Sequence, residues 1–141
     1  SLISALVVVF QESRWLFYFE TNFELVDGRN KKIVVCNAVI DALGLTNCVA
    51  RHGRAEETKG AQYDFVVTRA VAKMAKLAEW SMKLISTQQQ HAIPNGIIAL
   101  KGRNLKEEMA EMDGAYMEEY PLYDMVPIDF FKEKAIVYLQ Y

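Results

Sequence analysis

Apolar and polar positions change period several times along the chain, and each change marks an element. Phe23–Val26 is a short β-prone run stopped by Asp27-Gly28. From Lys31 to Leu43 the residues Ile33, Val34, Cys36, Val39, Ile40 and Leu43 recur at helical spacing. Gly44 follows, the residue type that most readily ends a helix. Cys48–His52 reads as a strand, and Tyr63–Thr68 as another that is apolar enough to be buried on both faces. Val71–Ile85 predicts a helix with Val71, Met74, Ala75, Ala78, Met82 and Ile85 as its buried stripe. Ser86–Asn95 is a polar loop with a Gln triplet, closed by the turn Pro94-Asn95-Gly96. Ile97–Leu100 then reads as a strand and Leu105–Met112 as an acidic helix, and Tyr116–Val126 with Lys134–Tyr141 as a closing antiparallel strand pair. Strands alternating with helices predict an α/β fold with an open, largely parallel sheet.

The opening departs from this rhythm. Leu2–Phe10 is apolar but shorter than the roughly 20 residues that span a bilayer. It has neither the basic flank nor the cleavage site of a signal peptide. Leu6–Phe10 is strongly β-prone and predicts a strand in the first position of the sheet. The expectation is a single, trimmed domain over residues 1–141, with residues 1–20 an aberrant segment.

Composition narrows the class without naming a function. At 141 residues, with 52% hydrophobic and 24% charged, the chain can bury a core, which excludes disordered and collagen-like proteins. Cys36 and Cys48 are too few for a disulfide framework and lack zinc-ligand spacing. A reduced, cytoplasmic setting without membrane association is expected, with the chain a monomer. The net charge of −2 conceals an asymmetry: residues 1–106 carry 14 Lys+Arg against 9 Asp+Glu, and residues 107–141 carry 2 against 9. A mildly acidic chain can thus present one basic face to a polyanion.

Ligands of open α/β sheets sit beyond the carboxyl ends of the strands, which directs attention to Asp27, Gly53–Glu56, Thr68-Arg69 and Lys101-Gly102. The Asp27 carboxylate either accepts hydrogen bonds from ribose hydroxyls or caps the following helix. Ala55-Glu56 either borders an adenine or forms a surface turn. Arg69 follows a buried strand, where an arginine is costly unless paired or facing a ligand. Lys101 is either a phosphate contact or a solvated lysine. His52 and His91 stand apart from any nucleophile pattern, and no Ser/His/Asp set, metal constellation or carboxylate pair stands out. Any chemistry is therefore expected to come from a cofactor.

The segments FELVDGRNKKIVVCNAVIDALGLTN, VARHGRAEE, YDFVVTRAVAKMAKL and NGIIALKG, in this order, resemble the RsmG/GidB family of small-subunit ribosomal RNA methyltransferases. The resemblance runs from about Asn22 to the carboxyl terminus, and the combination of RAEE, FVVTRA and ALKG carries its specificity. It implies a class I Rossmann-like methyltransferase fold, a mostly parallel sheet with C-terminal antiparallel strands. It also implies S-adenosyl-L-methionine as cofactor and methylation of a guanine N7 in 16S rRNA of the small ribosomal subunit. Carried over, Asp27 would hold the cofactor ribose, Ala55 and Glu56 would border the adenine, and Arg69 would line the pocket near cofactor and RNA. Arg29, Lys31, Lys32, Arg54 and Lys101 would be RNA contacts. No general base is required, since guanine N7 already bears a lone pair and positioning supplies most of the acceleration.

One part of the family pattern is missing. The glycine-rich cofactor loop, close to DLGTGGGFPGIPLAI, should follow the first strand, yet no glycine precedes Gly28. A synonymous coding of that loop, read from its second nucleotide, translates as ISALVVVFQESRWL, and then F if the next base is a pyrimidine, which is Ile3–Phe17. The expectation is a loop read in the wrong frame, with the frame restored near Tyr18–Glu20 and cofactor binding impaired. Two other readings remain: a nucleotide-binding protein of another chemistry, for which G-x-G-x-x-G is absent, and a non-catalytic α/β RNA-binding or interaction domain.

Overall fold

The computed structural model describes residues 5–10, 21–54, 57, 63–69, 72–102 and 105–140. Its strands are β1 (Ala5–Phe10), β2 (Thr21–Asp27), β3 (Cys48–His52), β4 (Phe65–Arg69), β5 (Gly96–Lys101), β6 (Met117–Pro121) and β7 (Ala135–Gln140). The helices are α1 (Asn30–Leu43), α2 (Met74–Ser81), α3 (Leu105–Ala110) and the single turn α4 (Leu122–Met125). All seven strands form one sheet in the order β3-β2-β1-β4-β5-β7-β6. β2 pairs with β3 and β4 with β5 in parallel, and β7 runs antiparallel to both β5 and β6. The result is a mixed α/β fold of the class I Rossmann-like kind, with its antiparallel pair at the carboxyl end.

β1 takes the central position that the β-prone run predicts, but it is reversed. It pairs antiparallel with β2 (Ala5 opposite Val26, Phe10 opposite Thr21) and with β4 (Ala5 opposite Thr68). The reason lies in chain length. A parallel neighbour needs a crossover of about a dozen residues or more, and only residues 11–20 separate β1 from β2. The carboxyl end of β1 therefore lies at the edge of the sheet where β2 begins, away from the carboxyl ends of β2 and β4.

The core occupies one face of the sheet. Val66, Ile97, Ala99, Val137 and Leu139 pack there against Met74, Leu77 and Ala78 of α2 and Leu105 of α3. The stripe of α2 is Met74, Leu77, Ala78 and Ser81, spaced i, i+3, i+4, i+7. Ala75, expected in it, is exposed, Met82 is half-buried, and Val71 lies outside the described residues. The helix starts at Met74 and tightens into a 3₁₀ turn at Met82–Leu84, which leaves Ile85 buried at its end. On the opposite face Val67, Ile98, Leu100 and Ile136 are only half-buried. The flanking α1 buries Ile33 alone, although its apolar spacing is helical as expected. Gly44 ends α1 with φ of 62°, the left-handed conformation that glycine adopts without strain. The strand expected over Tyr116–Val126 stops at Pro121, beyond which Leu122–Met125 is helical.

Candidate functional site

The carboxyl ends of β2, β4 and β5 border a cavity of 630 Å³. Its walls are apolar, including Leu25, Val67, Ile98 and Ile136, and its polar rim holds Asp27, Lys32, Thr68 and Arg69. The fold thus brings two of the four expected cofactor residues, Asp27 and Arg69, to one opening. Ala55 and Glu56 lie outside the described residues.

Asp27 serves the turn into α1. Its Oδ1 accepts a hydrogen bond from the Arg29 backbone N–H at 2.8 Å, and its Oδ2 lies 3.2 Å from Lys32 Nζ. No side chain caps α1 from the residue at its start, so this reach from two residues upstream stands in for a cap. The adjoining strand end is tied to the same turn: Gly53 N–H donates to the Asp27 carbonyl at 3.1 Å, and His52 Nε2 lies 3.1 Å from the Gly28 carbonyl. His52 is thereby a structural contact, while His91 pairs with the buried Asp64 at the far edge of the sheet, Nε2 to Oδ2 3.0 Å.

Arg69 is exposed at the rim. The expectation that burial makes its charge costly is corrected: the strand is buried up to Thr68, and Arg69 is the first residue to leave the core. Arg29, Lys31, Lys32 and Arg54 are exposed as well, and they gather where α1 begins and β3 ends.

Lys101 is placed differently from the phosphate contact expected of it. Its side chain is 3% exposed, and its Nζ lies 2.7 Å from Glu108 Oε2 on α3 and donates to the Ala72 carbonyl at 2.7 Å. The same Glu108 oxygen accepts from the Met74 backbone N–H at 3.1 Å, at the start of α2. Sequence reasoning missed Glu108, which reads only as one acid of an acidic helix. The signal was the period of the strand: Ile97, Ala99 and Lys101 share a face, so a buried lysine needing a carboxylate partner was implied.

A second network braces the sheet below the site. Arg51 Nε donates to Glu24 Oε1 at 2.7 Å and the Tyr63 hydroxyl donates to Glu24 Oε2 at 2.6 Å. Burial acts to raise the Glu24 carboxyl, but these hydrogen bonds and the Arg51 charge outweigh it and hold the group below its ordinary value. Arg51 is raised in turn by its bond to Glu24. Burial, with Cys36 nearby, pushes the Cys48 thiol up, away from the thiolate form a nucleophile needs. Among the described residues no group of three or more His, Cys, Asp or Glu could hold a metal ion, and no helix is long and apolar enough to cross a membrane.

Comparison with known proteins agrees with this geometry. Residues 16–133 match the family described as GidB, rRNA small subunit methyltransferase G. Among similar curated proteins is the ribosomal RNA small subunit methyltransferase G of Porphyromonas gingivalis, 42% identical over 125 residues, which cover 88% of this chain and 56% of that protein. The proteins of the same name from Flavobacterium johnsoniae and Bacteroides thetaiotaomicron are 40% and 42% identical, over 58% and 60% of their lengths. The chain therefore spans somewhat more than half the length of these relatives. A family match across most of the chain, joined to a methyltransferase-type sheet, shows that this chain belongs to the rRNA small subunit methyltransferase G family.

Proposed function

We propose that this chain carries the scaffold of an S-adenosylmethionine-dependent methyltransferase acting on 16S rRNA of the small ribosomal subunit, with guanine N7 as the acceptor. The observation that carries the reading is the convergence of Asp27, Thr68 and Arg69 on one cavity at the carboxyl edge, in a chain of this family. Arg69 faces the mouth of the cavity. Arg29, Lys31, Lys32 and Arg54 form the basic approach for RNA phosphates, where neutralised charge supplies affinity. A guanine in a loop or single strand suits such a site, because a paired one hides N7 in a deep groove.

Among the described residues the cofactor cradle is incomplete, and those present do not fit the cofactor. β1 ends at Phe10, opposite Thr21 at the start of β2 and away from the cavity, and no glycine precedes Gly28 in the sequence. Both Asp27 oxygens are engaged by the chain itself. No transfer step is assigned to this chain as it stands. A second reading, RNA binding without catalysis, is favoured by the absence of glycine before Gly28 beside an exposed basic cluster.

The test is calorimetry with S-adenosylmethionine and methyl transfer to small subunits, run on this chain and on one with residues 3–17 replaced by DLGTGGGFPGIPLAI. Binding and transfer are expected only in the repaired chain, and Arg69→Ala in that background should abolish transfer. Micromolar cofactor binding by the chain as written would refute the impairment. RNA binding by both chains without transfer by either would leave the second reading standing.

A further inference from the structure

We infer that buried Lys101 and half-buried Glu108 form a positioning pair that locks Ala72 and the start of α2 to the end of β5 and so fixes Arg69 at the rim of the cavity. Three elements meet at these two side chains. Lys101 ends β5 and holds the carbonyl of Ala72, three residues beyond Arg69. Glu108 reaches from α3, bonds Lys101, and accepts the Met74 backbone N–H at the first turn of α2. Lys73, at the start of α2, provides no side-chain cap of its own. Glu108 therefore caps α2 from another helix.

The arrangement explains why a charge is tolerated on the core face of a central strand. A lysine buried to 3% exposure is expensive unless its charge is met and its protons are donated. Here a carboxylate meets the charge and the Ala72 carbonyl takes a proton. A simple apolar side chain at position 101 would serve packing equally well, but it could not grip the connection. Replacing a buried ion pair by apolar groups is often neutral or stabilising, so stability alone does not account for this pair. The grip on the loop does.

The inference rests on the proposed site for its functional meaning, and the experiment separates the two. Amide exchange of segment 69–77, thermal midpoint and affinity for a 16S rRNA fragment are measured for the full chain, Lys101→Met, and Lys101→Met/Glu108→Gln. Lys101→Met leaves the half-buried Glu108 carboxylate without its partner and is expected to lower the midpoint. The double variant removes that stranded charge and is expected to recover the midpoint. In both variants exchange in 69–77 should accelerate at least tenfold beyond the rest of the sheet, because the Ala72 carbonyl has lost its donor. Arg69→Ala should weaken RNA binding severalfold in the parent and have little effect in the double variant. Unchanged exchange in 69–77, or recovery of both midpoint and exchange in the double variant, would overturn the positioning role. If the parent binds no RNA, the proposed site falls, while the exchange measurement still decides the lock.

Discussion

Lys31 and Lys32 stand in the first turn of α1, where the helix dipole disfavours positive charge, and that turn holds no acidic residue. A fold optimised for stability alone would place carboxylates there. The arrangement makes sense if the cations meet a polyanion, and it predicts a trade. Lys31→Glu should stabilise the fold by about 0.3–1 kcal/mol while weakening binding of a 16S rRNA fragment and flattening its salt dependence. Denaturant titration and binding at two salt concentrations check both halves, and a variant that lost stability would contradict the dipole argument. Glu24 offers a second residue-scale test. Its carboxyl is held below its ordinary value of 4.5, so the unfolded chain takes up the proton first as pH falls. The stability it contributes is therefore full above about pH 4.5 and is lost as pH drops through the lower folded value. Glu24→Gln should lower stability near neutrality and make the decline below pH 5 shallower, as read by thermal midpoints across pH. Tyr63→Phe should cost about 1 kcal/mol, the ordinary worth of a hydrogen bond.

At the scale of elements, β1 carries the most informative departure. Its direction follows from the ten residues available for the return to β2, too few for a parallel crossover. If Ile3–Phe17 is a glycine loop read out of frame, sequencing the encoding DNA should show codons for D-L-G-T-G-G-G-F-P one frame over. Codons that cannot be read so would end the idea. The other elements were legible in the sequence for identifiable reasons. Gly44 and the apolar spacing before it mark α1 almost to the residue. The uninterrupted apolar run of YDFVVT marks a central strand, and four of the six positions from Tyr63 to Thr68 belong to the observed β4. What escaped was long-range. No local pattern couples Lys101 to Glu108 and Ala72, and none shows that Asp27 turns its carboxylate back to Arg29 and Lys32. The stripe of α2 shifted from Ala75 to Leu77 because the packing partner, not the helix, chooses which flank of an apolar arc is buried.

For the molecule as a whole, a sheet of this class is ordinarily covered on both faces, since a parallel strand carries apolar side chains to each. Here α2 and α3 cover one face, while the other leaves Val67, Ile98, Leu100 and Ile136 half-buried beside α1. α1 has exposed apolar side chains of its own: Val35 is 62% exposed, Val39 49% and Leu43 66%. Folded monomers rarely present contiguous apolar patches beyond a few hundred Å², and half-buried sheet residues with exposed helix residues offer apolar side chains to a probe. The folded chain should therefore bind the hydrophobic dye ANS strongly below its thermal transition, with near-ultraviolet circular dichroism intact. That second signal matters, because dye binding with lost aromatic dichroism would mark a molten globule and not an open native face. Val39→Lys and Leu43→Lys lie on an exposed helix flank, where lysine is a better helix former than valine, so neither should unfold the chain. Together they should reduce dye fluorescence and leave the midpoint nearly unchanged. A native chain that gives no enhancement before it unfolds would show that this face is closed in solution.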